Sequence, residues 1–477
     1  MSLLHRYSTW VVVGVFSVLM SIPLFFSLDP DFGWHIYLGK WMVGHHQLIH
    51  TLVGYNYFSG YSLIDHQWLA DILLYPLYQH LGYLGFIFLA AVVLFITIAL
   101  IYKVTRLRAN SLASLCACSL FLVSYGLSYG VRLQIFLFLG AALLWYVSCF
   151  VSKLNTRLFW YAFILIIGNN LHGGFVILAL LPLCFELSMV VQHKMSYQSF
   201  FWVVIIVAAA IFINPNGFAY WHLVHDYLAD GYYQQHIDEW LHPFSPPYWS
   251  ALLPMTIATS LLLSLPIWRK SWPEVLLIGI FGYLGLAHLR FSPLWLLLVT
   301  PYLGEMLSEV ERNAGTLKKL WRSIEMIGLA LAMVFYLIID GMVVVQAHTS
   351  TPNTVDPLIS YLDSHECHQG ILLNDYNLGG YLLLKSHQPV FIDGRGPQLP
   401  LGNGKTLLEA YDQLLESPSN KLLAHYGITQ ILLQKTTLNS LGNPLSSFLA
   451  HDPQWYEVQP AGDVVLYQST TCLPKSA

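Results

Sequence analysis

The chain has 477 residues, of which 56% are hydrophobic and only 10% are charged. Soluble globular proteins carry about 25% charged residues, so the composition excludes an ordinary soluble enzyme. The net charge of -4 gives no reason to expect a nucleic-acid partner.

Long apolar runs follow one another along the first 350 residues. Runs of about 18 to 25 apolar residues are long enough to cross a bilayer as helices. The first run lacks a cleavage site of small residues, which predicts a retained span and not a signal peptide. We predict an α-helical polytopic membrane protein with about 11 transmembrane helices, over residues 8–28, 84–102, 110–125, 131–151, 158–169, 172–192, 200–213, 249–267, 274–288, 291–307 and 323–346.

Basic residues divide unevenly between the two sets of loops. With a cytoplasmic N-terminus, the outer loops before residue 350 hold only Lys40, Arg132 and Arg290, and the inner loops hold the rest. Cytoplasmic loops collect Lys and Arg, so this orientation in the inner (plasma) membrane is favoured. It places the 29–83 loop, the 214–248 loop and the C-terminal tail on the extracytoplasmic side.

The tail differs in composition from the rest of the chain. Short β-rich runs, GILLN, PVFID, TQILLQ and DVVLYQ, alternate with helical stretches near 377–386 and 404–416. We therefore predict a transmembrane domain over 1–350 and a small extracytoplasmic α/β domain over 351–477.

Several polar residues of the tail have two interpretations. Asp375, Asp393 and Arg395 stand at predicted strand ends, where α/β domains often bind ligands. Alternatively, the two acids cap turns and Arg395 pairs with one of them. Cys367 and Cys472 could form a disulfide if the domain faces an oxidising compartment.

The first outer loop begins LDPDFGWHIYLGKW. The pattern after Asp31 predicts a short interfacial helix with Trp34 at headgroup level, and Asp31 and His35 share a face of it. Asp29 and Asp31 could take a proton from an attacking hydroxyl, or bind a phosphate-bearing substrate through a divalent cation. The plainer interpretation is that Asp-Pro-Asp forms a turn and a helix N-cap.

Other polar residues gather at the predicted outer ends of the helices. Polar side chains at membrane depth are costly and usually face a cavity or a partner. Arg132 and Arg290 suit a lipid phosphate, because a guanidinium matches phosphate oxygens. Arg132 could instead anchor at the interface, His172 could pack between close helices, His66 could be interfacial, and Glu239 could be a solvated acid.

The landmarks taken together resemble a known family. In order they are DPDFGWHIYLGKWM, VRLQ, NNLHGGFV, INPNGF, DEW, AHLRFSPL and NDYNLGGYLL followed by VFIDGRG. Over nearly the whole chain they resemble a group of bacterial multi-pass proteins that is similar to the C-type (GT-C) glycosyltransferases. The chain departs from that pattern at Gly33-Trp34, at Leu133 and at Asn216, which leaves the substrate open.

The resemblance implies a cell-envelope enzyme that moves a sugar from a polyprenyl-phosphate donor in the bilayer to a glycan, lipid or protein acceptor. The transfer is expected to invert the anomeric carbon, with a first-loop acid as base or metal-binding group. The phosphate role of the arginines is our own assignment. The expected catalytic residues are Asp29 and Asp31; the expected substrate or lipid-phosphate residues are Trp34, Arg132, Gln134, Asn170, His172, Glu239, His288 and Arg290; the expected ligands of a divalent cation (Mg or Mn) are Asp31, His35 and His66.

Two other functions stay open at this point. One is a transporter or flippase of lipid-linked saccharides, against which the sequence shows no inverted repeat and no matching pair of broken helices. The other is a non-catalytic envelope assembly protein, which would tolerate Asp29→Asn and Asp31→Asn.

Overall fold

The computed structural model describes residues 11, 13–15, 29–55, 61–127, 133–243, 254–259, 262, 270–347, 352–364, 370–386, 388–401, 404–439, 444–461 and 463–472. By their contacts the residues form two compact units. We call Tyr83–His222 with Gln234–Met342 the helical unit, and Phe26–Gly82 with Leu223–Tyr233 and Val343–Ala477 the loop–tail unit.

The regular elements of the described residues follow in chain order. The α-helices are α1 (Phe32–His45), α2 (Trp68–Thr105), α3 (Ser111–Leu127), α4 (Gln134–Phe150), α5 (Leu154–Leu171), α6 (Phe175–Leu178), α7 (Leu180–Val191), α8 (Tyr197–Phe212), α9 (Ala219–Ala229), α10 (Gly231–His236), α11 (Trp272–Ala287), α12 (Ser292–Asn313), α13 (Lys318–Ala347), α14 (Pro352–Ser364), α15 (Gly379–Lys385), α16 (Leu407–Glu416), α17 (Asn420–His425), α18 (Lys435–Asn439) and α19 (Pro444–His451). The strands are β1 (Ile371–Asn374), β2 (Ile428–Gln434), β3 (Trp455–Ala461) and β4 (Val464–Ser469).

The helical unit is apolar both inside and outside. Its interior contains large, fully buried rings such as Phe121 and Trp145, and α3 packs along α12. Its surface exposes Phe159 and Trp160 on α5. A helix that is apolar all round belongs in a large core or in a bilayer.

Helix α2 is the one described helix that is long and apolar enough to cross a membrane by length and composition, with a mean hydropathy of 3.0 in its most apolar window. It is broken at Gly82, whose φ of 59° favours glycine. Other apolar helices among the described residues are shorter, at 10–17 residues. The predicted spans 8–28 and 249–267 lie largely outside the described residues, so the count of about 11 stays a prediction.

The tail contains the small sheet that the sequence predicted. The strand order is β1-β2-β4-β3, with β1 parallel to β2 and the other pairs antiparallel. Runs GILLN, TQILLQ and DVVLYQ form β1, β2 and β4, and the predicted helices appear as α15 and α16. Strand β3 was not predicted.

The predicted strand PVFID is not part of this sheet. Val390 makes an isolated parallel bridge to Tyr55 of the first loop, and its N–H donates to the carbonyl of Gly54 at 2.9 Å. The Asn374 side chain accepts from the N–H of Phe391 at 2.8 Å and donates to the carbonyl of Ile392 at 2.7 Å. One buried amide therefore satisfies backbone groups that a neighbouring strand would otherwise satisfy.

The cysteines of the apolar helices and the described cysteine of the tail differ in their bonding. Cys472 in the tail is disulfide-bonded. Cys367, its predicted partner, lies outside the described residues. The cysteines of the apolar helices are free, and they are Cys116, Cys118, Cys149 and Cys184.

Candidate active site

The two first-loop acids have different roles in the local backbone. The Oδ1 atom of Asp29 accepts the N–H of Asp31 at 2.9 Å, which forms a turn at Pro30. Asp31 occupies the N-cap position of α1, yet its side chain makes no capping hydrogen bond. The predicted turn is therefore present, and the side chain of Asp29 stabilises it. The carboxylate of Asp31 does not cap the first turn of α1.

The carboxylate of Asp31 is held by its neighbours. The indole Nε1 of Trp34 donates to Asp31 Oδ1 at 3.1 Å. The same Oδ1 lies so close to Gly394 that a Cβ at position 394 would overlap it. Asp31 is partly exposed, whereas Trp34 is buried. The geometry fixes one carboxylate oxygen and leaves the group in contact with solvent.

Glycines bring α1 against the tail. A Cβ on Gly33 would overlap the carbonyl oxygen of Gly380, and a Cβ on Gly380 would overlap that of Pro30. Helix α1 therefore packs on α15 with backbone against backbone. The first loop, expected within the transmembrane domain, packs on the tail within the loop–tail unit.

A buried imidazole lies behind Asp31. The Nδ1 atom of His35 is 2.6 Å from Oδ1 of Asp71, and both side chains are almost fully buried. Burial lowers the pKa of His35 to about 4, although Asp31 and Asp29 act in the opposite direction. The imidazole is therefore neutral near neutral pH.

A second buried acid adjoins this pair. Asp65 is buried, and its Oδ1 accepts the N–H of Gln67 at 2.9 Å. Burial, followed by the charge of Asp71, raises the pKa of Asp65 well above its ordinary value. Neither acid was predicted as a site residue, although both stand in the stretch IDHQWLAD of a chain that is poor in charge.

The tail supplies a buried ion pair beside the loop. Arg395 donates from Nη2 to Asp393 Oδ2 at 2.7 Å and from Nη1 to the carbonyl of Val53 at 3.1 Å. The Tyr55 hydroxyl also donates to Asp393, and its ring lies 4.9 Å from the guanidinium. Asp375 caps the turn at Asn377. The structure thus agrees with the capping and pairing interpretation of these tail residues.

The predicted metal ligands do not form a three-ligand group. His35 uses Nδ1 for Asp71, and Asp31 Oδ1 accepts from Trp34. His66 is half-buried, with its ring 6.5 Å from that of Tyr227. Over the described ranges no group of three or more His, Cys, Asp or Glu side chains is placed to hold a metal ion.

The helical unit holds a second set of the predicted residues. Arg290 Nη1 lies 3.1 Å from Glu239 Oε1, and the guanidinium lies 4.7 Å from the ring of Trp240. His288 Nδ1 is 2.7 Å from the carbonyl oxygen of Trp240, and Gln134 donates to the carbonyl of Arg290 at 3.4 Å. Glu239 is therefore an ion-pair partner and not merely a solvated loop acid.

Two further predicted residues have local structural partners. Asn170 donates to the carbonyl of Ile213 at 2.9 Å, at the end of α8. His172 ends α5 and accepts the N–H of Gly174 at 3.0 Å on Nδ1. These bonds favour the packing interpretation of His172. Arg132 lies outside the described residues.

The structure thus brings the predicted residues together in two separate sets. The loop–tail unit contains Asp29, Asp31, Trp34, His35 and His66, and the helical unit contains Gln134, Asn170, His172, Glu239, His288 and Arg290. The single cavity predicted to contain members of both sets stays a prediction.

The described residues combine an acid-bearing helical first loop, apolar helices and a small C-terminal sheet. The chain is similar in fold to ArnT from Cupriavidus metallidurans in the apo state (TM-score 0.52, 12% identity, covering 99% of this chain and 100% of that chain). The structure of the same protein bound to undecaprenyl phosphate gives a TM-score of 0.52 at 11% identity, covering 99% of this chain and 100% of that chain.

A second similar structure is the Archaeoglobus fulgidus oligosaccharyltransferase in complex with Zn and sulfate. Its TM-score is 0.50 at 12% identity, covering 97% of this chain and 73% of that chain. No family model and no curated protein matches the sequence. At these identities the likeness concerns the fold.

Proposed function

We propose that the protein is a membrane glycosyltransferase that moves a sugar from a polyprenyl-phosphate donor to an acceptor on the extracytoplasmic face of the inner membrane. The observation that supports this most directly is the Asp31 carboxylate, which is positioned by Trp34 and not used as a helix cap. The fold it shares with ArnT, which has been solved with undecaprenyl phosphate bound, supports a lipid-phosphate donor.

The proposed step uses Asp31 as the base. Its carboxylate accepts the proton of the acceptor hydroxyl while that oxygen attacks the anomeric carbon and the bond to the lipid phosphate breaks, with inversion. The leaving lipid phosphate carries the negative charge, and Arg290 and Arg132 are proposed to neutralise it. A guanidinium has five N–H donors, and the pair with Glu239 uses one nitrogen of Arg290.

Asp29 is proposed to support Asp31 and not to replace it. Its Oδ1 accepts the Asp31 N–H, so it fixes the turn from which the base projects. The described residues do not form the predicted cation site. The proposed step therefore uses no metal ion.

The test is a transfer assay on membranes that contain wild type or Asp31→Asn. Asparagine keeps an Oδ1 atom to accept the Trp34 N–H, so the variant removes the base and preserves the hydrogen bond. Radiolabelled polyprenyl-phosphate sugars are supplied as a panel, and label is followed into lipid, glycan and protein fractions. The matched control is Asp226→Asn, because the Asp226 side chain is 67% exposed.

We expect transfer by wild type and by Asp226→Asn, and a loss of about 100- to 10,000-fold in Asp31→Asn, the usual contribution of a general base. Equal labelling by wild type, Asp31→Asn and empty membranes across the panel would count against the proposal. The next assays would then be transport of lipid-linked saccharides and envelope assembly.

A further inference from the structure

A cavity of about 450 Å³ lies in the helical unit, and its volume is within the range of small-molecule sites. Two cations and two carboxylates line it together with a serine, and these residues are Arg108, Lys270, Ser271, Glu274 and Glu305. Ser271 caps the beginning of α11, whereas Arg290 follows the end of that helix. The 16 residues of α11 span about 24 Å, so the cavity is separate from the proposed contact between Arg290 and the donor.

The carboxylate oxygens of the cavity already accept hydrogen bonds. Both oxygens of Glu305 accept from Nζ of Lys270, at 2.6 and 2.7 Å. In Glu274, Oε1 accepts from the Tyr302 hydroxyl at 3.2 Å and Oε2 accepts from the Ser271 hydroxyl at 2.8 Å. A ligand that donates hydrogen bonds, such as an ammonium group, would have to compete with these donors.

The guanidinium of Arg108 has donors that are not used in this way. Its central carbon lies 4.8 Å from the centre of the Tyr302 ring, and its nitrogens lie 3.6 Å from Glu274 and 3.5 Å from Glu305. Charge-assisted hydrogen bonds are shorter, at about 2.7–2.9 Å. The side chain makes no hydrogen bond to the part of the chain that the structure describes. Because a guanidinium has five N–H donors, the cavity has more capacity to donate than to accept.

We propose that this cavity binds a phosphate group, with Arg108 as its principal ligand and Lys270 as the second cation. A planar guanidinium matches two phosphate oxygens, and an ammonium has three N–H donors, of which Glu305 uses two. Arg108 and Lys270 stand in loops that the sequence places on the cytoplasmic side. The phosphate belongs there either to an inner-leaflet phospholipid or to a soluble phosphate compound. The inference does not depend on the proposed transferase function.

The test measures phosphate binding in two arms, on the full chain purified in a maltoside detergent, which contains no phosphate. In the first arm, inorganic phosphate labelled with phosphorus-32 is titrated by equilibrium dialysis. In the second arm, phosphatidylglycerol is titrated, and native mass spectrometry counts the lipids that the protein retains. Arg108→Gln removes the guanidinium. Arg322→Gln is the matched control, because Arg322 also pairs with a carboxylate, Glu311 at 2.6 Å, and does not line the cavity.

Arg108→Gln is expected to weaken binding by about 10- to 100-fold, the value of charge-assisted hydrogen bonds. Arg322→Gln should change binding by less than about two-fold. A loss confined to the lipid arm would identify a phospholipid headgroup, and a loss confined to the dialysis arm would identify a soluble phosphate compound; either result supports the proposal. Equal binding by wild type and both variants in both arms, or no binding by wild type, would overturn it and leave a structural cluster of ion pairs.

A third variant keeps the proposal testable if Arg108→Gln does not fold. Glu305→Gln removes a negative charge from the cavity and releases Lys270, so phosphate binding is expected to tighten by about 10-fold. A purely structural cluster would lose stability in this variant without gaining affinity for phosphate. Unchanged or weaker binding by folded Glu305→Gln would contradict the proposal.

Discussion

The carbonyl oxygen of Gly380 occupies the place where a side chain on Gly33 would begin. The contact joins the first turn of α1 to the tail and puts Asp31 beside Gly394. Two glycines far apart in sequence thus decide where the proposed base lies.

The first prediction concerns this contact. Gly33→Ala should destabilise the loop–tail unit and lower transfer, because the new methyl group would collide with backbone that cannot move aside. Gly44→Ala on the same helix is the control, since its Cβ would meet nothing within 4 Å. Thermal unfolding in detergent should show a loss of about 1–3 kcal/mol for Gly33→Ala only. Equal unfolding temperatures for both variants would show that the helices separate easily.

The second prediction concerns the buried ion pair. Arg395→Gln should cost about 3–5 kcal/mol of unfolding free energy, because it leaves the Asp393 carboxylate buried without its cation. Lys385→Gln removes an exposed charge from the same unit and should have little effect. Adding Asp393→Asn to Arg395→Gln should recover part of the loss. No recovery in the double variant would mean that packing of the arginine stem outweighs the charge.

The third prediction is a pH dependence. Because burial lowers the pKa of His35 to about 4, the unfolded chain binds more protons than the folded one between pH 4 and 6.5. The contribution of His35 to stability should therefore rise with pH across this window and fall as the pH is lowered, by at most about 3 kcal/mol. The slope should be smaller in His35→Gln and unchanged in His225→Gln, whose side chain is exposed. If stability depended on pH equally in wild type and in His35→Gln, the prediction would be wrong.

The fourth prediction concerns the proposed phosphate contact. Arg290→Ala should raise the KM for the polyprenyl-phosphate donor by about 10- to 100-fold, the value of one or two charge-assisted hydrogen bonds. Lys40→Ala, also on the predicted outer side, removes an equal charge and should leave KM within about two-fold. Titration of wild type and both variants with one active donor provides the comparison. Equal KM values for all three would exclude Arg290 as a phosphate ligand.

Much of the local structure could be predicted from the sequence. Helix α1, the tail helices α15 and α16, and strands β1, β2 and β4 follow from local hydrophobic patterns and turn residues. The PVFID segment could not be assigned this way, because a single distant side chain, Asn374, determines its pairing.

The candidate site was harder to predict than the helices around it. Asp31 and His35 could be named because they are close in sequence and polar in an apolar chain. Asp71 lies 36 residues after His35, and only the backbone contact at Gly39 brings it near. The imidazole could therefore be named from the sequence, whereas the acid that contacts it could not.

The bridge from Tyr55 to Asp393 spans 338 residues, and this separation bears on biogenesis. At a synthesis rate of about 5–20 residues per second, a ribosome needs roughly 20 to 70 s to make the intervening chain. During that interval the nascent first loop has left the ribosome without its packing partner. Helix α1, which carries Asp31, is consequently synthesised well before the tail residues that pack against it.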